Sequence, residues 1–468
     1  MIFSLYLIML TVVGCGGDSA PPPLANPGSD ARITVDGPIM GGIHGWPFNA
    51  TVTDIAQYGY VEEEFFFSGY ATGGSASDGA VLTEPYRSRM LVRRPVDPAE
   101  FNGTVVVEWL NVSIGFDMEV EWPMTCEYLM REGYAWVGVK AQPLGVDLLK
   151  EWDRDRYGSL MHPGLPTGPP PIFVVGESFS DDIFSQAGKA LLGQASGADP
   201  MGGLRVEHLI AFGHSQSSNR LTLYANNRQA EARIYDAFLL HGGGDTHRVN
   251  AIVPTIRLNA ETEVIAHYPF RQGDSEFYRL WEVSGTGHYP ASHLEYLSTE
   301  LNRDLPGQFD IELGCDYAPQ MVLFRYVASA ALHSLNQWIT EGIPAPSADP
   351  ITVIPGTPDA IARDAYGNAI GGIRPPQMAV PIGRNMPYNS PGPWCADTGG
   401  FDLFDGEPAG TTPADEWDEP VLDQLYDSHD AYVSAVIESA DALVKSGFML
   451  EADAEVIKGD ALHASIPR

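Results

Sequence analysis

The sequence is short of cysteine and of positive charge, and it lacks an apolar run long enough to span a membrane. Of its 468 residues only 4 are Cys, and none has the CxxC or Cys/His spacing that binds zinc. Lys and Arg together number 27 against 61 Asp and Glu, which gives a formal net charge of −34. A surface this acidic repels phosphate backbones, so the composition argues against a nucleic-acid partner and for a soluble protein.

The N-terminus carries an uncharged apolar run at residues 2–14. A run of about 13 residues is too short for a membrane anchor but fits the core of a signal peptide. It ends at Gly14-Cys15, which resembles a bacterial lipobox, where the Cys takes a lipid. We therefore predict a signal peptide at 1–14, lipidation of Cys15 and a flexible tether at 15–30. The protein would be exported and lipid-anchored at the envelope, with secretion as the alternative.

The other three cysteines divide into a pair and a single thiol. Cys315 and Cys395 both lie in loop-like sequence. Because an exported protein is found where disulfides persist, we predict a disulfide between them. Cys126 falls in a predicted helix and is expected to be a buried free thiol.

The chain alternates β-branched runs with helical patterns. Predicted strands lie at 64–68, 89–92, 104–109, 134–139, 206–212, 235–240, 255–258 and 278–283, and predicted helices at 118–131, 180–193, 219–226, 321–339 and 430–445. Strands that alternate with helices predict an α/β fold, with a mostly parallel sheet covered by helices on both faces.

The domain organisation follows from this rhythm. We predict a single domain over 31–468, with a β-rich part at 31–100, a core at 101–344 and a C-terminal extension at 345–468. Residues 150–178 are rich in Pro and Gly and are expected to form a loop or a lid. The apolar stripe of the helix at 430–445 is expected to pack the extension onto the core.

Residues Gly213-His214-Ser215-Gln216-Ser217 stand directly between a predicted strand and a predicted helix. This is the setting of a nucleophile elbow, G-x-S-x-G, in which a serine on a strained turn needs small neighbours two positions away. Gly213 meets that need fully, and Ser217 replaces the second Gly with a tolerable side chain. The turn would aim the Gln216 backbone N–H at the oxygen of a reacting carbonyl. Ser215 is therefore the candidate nucleophile.

A serine hydroxyl needs a base, and in this arrangement the chain order is Ser, then an acid, then His. His288 follows the strand at 278–283 in the string Gly-Thr-Gly-His and is the candidate base. Glu263, 25 residues earlier, is the candidate acid, which would fix the imidazole tautomer and stabilise the imidazolium. Glu261 is the rival and Asp274 a third choice.

A second oxyanion donor is expected in the loop after the strand at 104–109. A backbone N–H near Asn111 is our choice. The string His-Gly-Gly-Gly at 241–244 copies the oxyanion motif of some lipases, but that motif must precede the nucleophile, whereas this one follows Ser215. We expect it to shape the rim of the pocket.

His241, Asp245 and His247 could suggest a metal site. Loop residues without a fixed geometry are usually not ligands, so no metal is expected. The chemistry of a serine nucleophile needs no organic cofactor either.

Five strings of the sequence resemble a known family. They are VVVEWLNVS at 105–113, GYAWVGV at 133–139, GHSQS at 213–217, RLWEVSGTGH at 279–288 and DAYGNAIGGIR at 364–374. They are similar to the bacterial and fungal "alpha/beta hydrolase domain-containing" proteins, and the resemblance covers about residues 31–468. It implies the α/β-hydrolase fold, a Ser-His-acid site at Ser215 and His288, and hydrolysis of carboxylic esters.

These observations predict a serine esterase that acts on a small or polymeric ester through an acyl-enzyme. Amidase, peptidase or lactonase action at the same site is the nearest alternative, and a non-catalytic surface binding module is the alternative from another class. Trp109, Trp122, Trp136 and Trp152 could line a pocket for a bulky acyl group, although most of them are expected to be core.

Overall fold

The computed structural model describes residues 33–75, 81–164, 179–243, 247–309, 311, 314–404 and 422–466. The predicted signal peptide, the tether and Cys15 lie outside these residues, so they stay predictions. Residues 165–178, half of the predicted loop or lid, also lie outside them.

The strands are β1 (Thr34–Asp36), β2 (Tyr60–Ser75), β3 (Val81–Pro95), β4 (Thr104–Trp109), β5 (Ala135–Val139), β6 (Ser196–Gly197), β7 (His208–His214), β8 (Ala237–His241), β9 (Thr255–Ala260), β10 (Tyr278–Val283), β11 (Val353–Ile354), β12 (Ala360–Ile361), β13 (Gly383–Met386) and β14 (Gly400–Leu403). The helices are α1 (Glu121–Arg131), α2 (Val146–Trp152), α3 (Arg154–Tyr157), α4 (Ser180–Leu191), α5 (Gln216–Asn227), α6 (Gln229–Ala232), α7 (Val264–His267), α8 (Ala291–Asp304), α9 (Phe324–Thr340), α10 (Pro376–Ala379), α11 (Gly392–Thr398), α12 (Leu422–Leu425), α13 (His429–Ser446) and α14 (Glu451–His463).

One large sheet organises the molecule, in the order β10-β9-β8-β7-β4-β5-β3-β2-β1-β6. The six strands from β10 to β5 run parallel to one another. The long β2–β3 hairpin joins them through antiparallel pairing of β3 with β5. The two short predicted strands at 64–68 and 89–92 are thus the middle of one continuous hairpin. The predicted mostly parallel sheet is confirmed.

Two apolar cores lie on opposite faces of this sheet. Along β4 every residue is buried, because alternate side chains enter opposite cores. Val105 and Val107 pack with residues of α4 and α5, whereas Val106 packs with residues of α1, α8 and α9. Burying each valine side chain stabilises the folded state by roughly 1.5–3 kcal/mol. The helices are therefore held on the sheet by the apolar side chains that they cover.

The tryptophans belong to these cores. Trp109, Trp122 and Trp136 are fully buried and Trp152 is 8% exposed. Their indole N–H groups are hydrogen-bonded inside the protein, to Gln142, Thr51, Glu108 and the Asp304 carbonyl. Buried indoles with satisfied donors act as packing, so these residues do not form an acyl pocket.

Several helix boundaries differ from the sequence prediction. The helix predicted from 118 begins at Glu121, because Asn111 and Met118 pair in a β-bridge that keeps the chain extended. The helix predicted from 219 begins at Gln216, directly after the elbow. The helices other than α1, α4, α5, α9 and α13 were not predicted, and the longest of these are α8 and α14.

The C-terminal extension has its own small core. Residues of α13 and α14 pack with Tyr326 and Phe404. The extension is also tied to the preceding loop, because Cys315 and Cys395 form a disulfide. Cys126 is a buried free thiol. Within the described residues, none of the helices combines the length and apolar character needed to cross a membrane.

Candidate active site

Three loops meet at one edge of the sheet. β7, β8, β9 and β10 are parallel neighbours, so their C-terminal ends lie together. Ser215 follows β7, Glu263 follows β9 and His288 follows β10. Ligands of open α/β sheets bind at this edge, so the topology places all three candidates where chemistry is expected.

Ser215 occupies a strained backbone conformation between β7 and α5. Its φ is 56° and its ψ −115°, a region that costs a non-glycine residue about 1–3 kcal/mol. A Cβ on Gly213 would lie 2.7 Å from the Ser217 carbonyl oxygen, so only glycine fits there. The Ser215 N–H donates to the His241 carbonyl at 2.9 Å, which ties the turn to the end of β8.

Ser217 has a larger part in the turn than the sequence indicated. Its side chain is buried, and Oγ accepts a hydrogen bond from the His214 N–H at 3.0 Å and donates to the His214 carbonyl at 2.9 Å. A second glycine would make neither bond. The serine in that position therefore stabilises the elbow rather than merely fitting into it.

Glu263 contacts His288 directly. Oε1 of Glu263 lies 2.6 Å from Nδ1 of His288, and the two side chains are 11% and 17% exposed. The carboxylate also accepts from the Ala260 N–H at 2.6 Å and from the Thr262 hydroxyl at 2.7 Å. With the Nδ1–H group donating a hydrogen bond to Glu263, Nε2 is the ring nitrogen that is free to act as a base.

Glu263 also sets the protonation of His288. Burial lowers the pKa of His288, but the hydrogen bond and the charge of Glu263, helped by Asp397, outweigh it and raise that pKa above its ordinary value. A base with a raised pKa holds the proton taken from a hydroxyl more tightly, as general-base chemistry requires.

The two rival carboxylates have structural partners. Glu261 is buried, pairs with Arg363 at 2.5 Å and accepts the Gly285 N–H at 2.6 Å. Asp274 accepts the Leu280 N–H at 3.2 Å beside β10. Of the three acids considered, Glu263 is the one in contact with the imidazole.

His214 links the elbow to the His288 loop. Its Nε2 lies 3.2 Å from the His288 carbonyl oxygen, and the two imidazole ring centroids are 4.6 Å apart. Among the described residues Ser215 Oγ and His288 form no hydrogen bond to each other. Such bonds are often long in free enzymes and tighten around the substrate.

The backbone N–H of Asn111, expected as the second oxyanion donor, already has a partner, whereas the next N–H along the chain is a better candidate. The Asn111 N–H donates to the Met118 carbonyl at 3.0 Å, so it is not available to a substrate. The next N–H, that of Val112, has only the side-chain oxygen of Gln216 at 3.4 Å. Asn111 instead ties this loop to the elbow, since its side-chain amide donates to the His214 carbonyl at 2.9 Å. Gln216 is the first residue of α5, and the N–H groups of a helix's first turn have no partner within the helix. The Gln216 N–H therefore remains a candidate oxyanion donor.

The first residues of the His-Gly-Gly-Gly string lie buried beside His214 and His288. His241 is the last residue of β8 and is buried. A Cβ on Gly242 would lie 2.9 Å from His214 Nε2 and 3.4 Å from His288 Cε1, so the glycine lets the two loops approach. Gly244 and Asp245 lie outside the described residues. No cluster of metal-binding side chains occurs in the part of the chain that is described.

Sequence reasoning missed the contribution of the extension to this site. The Tyr289 N–H donates to the Asp397 carbonyl at 2.9 Å, and Asp397 raises the pKa of His288. The position of Cys395, two residues before Asp397, indicated that this part of the chain is anchored but not what it lies against.

An apolar cleft of about 300 Å³ lies beside the acid turn. It is lined by Glu261, Ile265, Ile361, Arg363, Met386, Pro387 and Tyr388. Neither Ser215 nor His288 lines it, so we do not assign it to the substrate.

Solved structures with a similar fold include hydrolases of low sequence identity. XC6422 from Xanthomonas campestris, an a/b serine hydrolase without lid, is 13% identical; the match covers 50% of this chain and 91% of that one, with a TM-score of 0.30. A putative carboxylesterase from Lactobacillus plantarum WCFS1 is 9% identical over 51% and 84% of the two chains, with a TM-score of 0.26. The esterase Est22 is 12% identical over 55% and 84%, with a TM-score of 0.28. These likenesses carry no argument about substrate.

Family membership rests on the chain itself. No curated protein matches it significantly. Residues 35–458 match the family described as "Alpha/beta hydrolase domain", which confirms the resemblance and the fold expected from the sequence. With a nucleophile-elbow turn at the edge of a mostly parallel sheet, the chain belongs to the alpha/beta hydrolase domain family and is a hydrolase.

Proposed function

We propose that this hydrolase cleaves carboxylic esters by a Ser215-His288-Glu263 triad. The observation that carries the proposal is the 2.6 Å contact of Glu263 with His288 Nδ1 beside a strained serine turn. Binding alone requires neither an imidazole whose tautomer is fixed by a carboxylate nor backbone strain at a serine, so both features favour catalysis over a binding module.

The reaction proceeds through an acyl-enzyme. His288 Nε2 takes the proton of Ser215 as Oγ attacks the ester carbonyl carbon, and the N–H groups of Gln216 and Val112 hold the negative oxygen. The tetrahedral intermediate expels the alcohol, which takes the proton from His288. Water then gives a proton to His288 and attacks the acyl carbon. The second tetrahedral intermediate breaks its bond to Oγ, His288 returns the proton to Ser215 Oγ, and the acid is released.

The nucleophile is tested by serine substitution. Ser215→Ala should lose hydrolysis of p-nitrophenyl esters by about 10³-fold or more, because the attacking oxygen is gone. Labelling by a fluorophosphonate probe should disappear with it. Ser218→Ala is the matched control, because Ser218 is buried three residues further on and its Oγ has no hydrogen-bond partner among the described residues. It should keep both signals, and an unlabelled wild-type protein would contradict the proposal.

The same nucleophile, base and N–H donors would act on esters and on amides. Amidase, peptidase and lactonase action are therefore outcomes of the same assay, when p-nitrophenyl esters are compared with matched anilides and with lactones. Faster turnover of the anilide would replace the ester assignment without changing the triad.

We also propose that the protein is exported and acts on an extracellular ester. The disulfide between Cys315 and Cys395 is a bond that persists in oxidising compartments and is rare in the cytosol. The protein would meet small or polymeric esters outside the cell.

A further inference from the structure

A segment of the C-terminal extension contacts the two loops that hold the candidate acid and the candidate base. We call residues 388–398 the bracing segment. At its start, the Tyr388 hydroxyl donates to the Thr262 carbonyl at 2.9 Å. Near its end, the Asp397 carbonyl accepts the Tyr289 N–H at 2.9 Å. Thr262 precedes the acid and Tyr289 follows the base, so one short stretch of chain spans the two catalytic turns.

The contact with the base loop is too close for a side chain. A Cβ on Gly287 would lie 2.5 Å from the carbonyl carbon of Thr398 and 2.6 Å from the carbonyl oxygen of Asp397. Both obstacles are backbone, which cannot rotate away. The residue directly before His288 is therefore packed against the bracing segment.

The bracing segment is itself fixed to the loop at 315–317. Cys395 is joined to Cys315 by a disulfide between positions 80 residues apart. The Asn389 side chain also accepts the Tyr317 N–H at 3.2 Å and donates to the Tyr317 carbonyl at 2.9 Å. A covalent bond and a paired amide therefore tie the segment to this loop.

The link to the acid passes through Thr262. Its hydroxyl donates to Glu263 Oε1 at 2.7 Å, and the same oxygen contacts His288 Nδ1. Tyr388 holds the backbone of Thr262, so it acts on the orientation of the carboxylate without touching substrate.

We propose that the bracing segment positions His288 against Glu263, with Tyr388 and Asp397 as positioning residues and the Cys315–Cys395 disulfide as their anchor. The proposal rests on the proposed function, because it assigns a role in the same triad.

The electrostatic surroundings of His288 agree with this role. The negative groups that act on it are Glu263 and Asp397, both of which raise its pKa. The pKa values of its histidine neighbours His214, His241 and His293 are lowered by burial, so they stay neutral near pH 7. Tyr289, whose ring lies 4.7 Å from that of His288, also stays neutral, because burial raises its pKa.

The test compares two tyrosines of the extension. Tyr388→Phe removes only the hydroxyl bonded to Thr262. Tyr426→Phe is the matched control, because the Tyr426 hydroxyl donates to the Pro381 carbonyl at 2.9 Å away from the triad. Tyr388→Phe should lower kcat about three- to tenfold with little change in KM, since misplacement of catalytic groups acts on the chemical step. It should also lower the pKa of His288 measured by NMR, whereas Tyr426→Phe should leave both values unchanged.

A second variant separates charge from packing. Asp397→Asn keeps the backbone carbonyl that binds Tyr289 but removes the charge, so it should lower the pKa of His288 while the fold, checked by circular dichroism, is retained. Reduction of the disulfide in the folded protein should lower kcat more than Tyr388→Phe does.

The NMR readout keeps the two proposals apart. If wild-type protein hydrolyses no ester, the proposed function fails, but the pKa of His288 still reports on the bracing segment. If the enzyme is active and Tyr388→Phe, Asp397→Asn and the reduced protein all keep the wild-type kcat and His288 pKa, the bracing role is overturned. Equal losses in Tyr388→Phe and Tyr426→Phe would also overturn it, because they would indicate general loosening.

Discussion

The orientation of Glu263 is fixed before any substrate arrives. Its carboxylate accepts hydrogen bonds from the Ala260 N–H and the Thr262 hydroxyl as well as contacting His288. Because the supporting donors are local, Glu263 would need no reorganisation when His288 becomes charged in the proposed reaction. Glu263 therefore fixes the tautomer of His288 and is the main group that raises its pKa.

At this scale the predicted consequence is a shift in pH dependence. Glu263→Gln removes the charge that raises the pKa of His288, while burial still lowers it, so the pKa should fall. The base works only when neutral, so the acidic limb of the kcat/KM profile should move to lower pH. The plateau should fall about 10²- to 10⁴-fold, because an amide does not stabilise the imidazolium.

The control is Glu261→Gln in the same turn. Glu261 pairs with Arg363 and not with His288, so the acidic limb of the kcat/KM profile of this variant should stay at the wild-type pH. An unmoved limb in Glu263→Gln, measured over about pH 4 to 9, would refute Glu263 as the acid.

Strand β3 is joined to the loop after β4 by buried charge. Arg93 is fully buried between the rings of Trp122 and Trp136, with its guanidinium carbon 4.7 and 4.4 Å from their centroids. It bonds Glu119 at 2.6 Å and Glu62 at 2.7 Å. Since Glu119 lies in the segment that follows β4 and leads into α1, this ion pair helps hold that segment on the hairpin.

At the scale of this element, Arg93→Met should be strongly destabilising. The methionine side chain would fill the space between the two indoles but would leave Glu62 and Glu119 without their cation. The expected cost is about 3–5 kcal/mol in the free energy of unfolding. Arg131→Met is the control, because Arg131 is 35% exposed in its pairs with Glu132 and Asp453 and should cost below about 1 kcal/mol. Urea denaturation of both variants measures this, and similar costs would contradict the structural role of Arg93.

The whole molecule carries far more negative than positive charge. Its formal net charge of −34 makes the folded state repel itself, and unfolding relieves part of that repulsion. Salt screens exposed charges that lie farther apart than the Debye length, which falls from about 30 Å at 0.01 M to about 3 Å at 1 M.

At the scale of the molecule, salt should therefore stabilise this protein. Its Tm at about pH 8 should rise by several degrees as NaCl is raised across that range. At about pH 5, close to the pI of about 4.5, the same salt series should change Tm much less, because little net charge remains to screen. Calorimetry measures both series, and an equal rise at the two pH values would mean that the net charge is not the cause.

The predictable part of the site is local in the chain. The strand, elbow and helix around Ser215 follow from about twenty consecutive residues, and the β-branched run at 104–109 predicts a buried strand in any context. The choice of Glu263 over Glu261 was harder, since the two lie two positions apart in one turn. Only tertiary contacts separate the two residues, because Arg363 pairs with Glu261 whereas His288 contacts Glu263.

The sequence by itself determined the α/β class, the chain order of the candidate nucleophile, acid and base, and the turn that presents Ser215, because these depend on periodicity and on steric needs of neighbouring residues. Tertiary structure alone decided the pairing of Glu263 with His288, the loss of the Asn111 N–H to Met118 and the placement of residues 388–398 against both catalytic turns. Those contacts join positions far apart in the chain, and no local pattern encodes which distant backbone will arrive there.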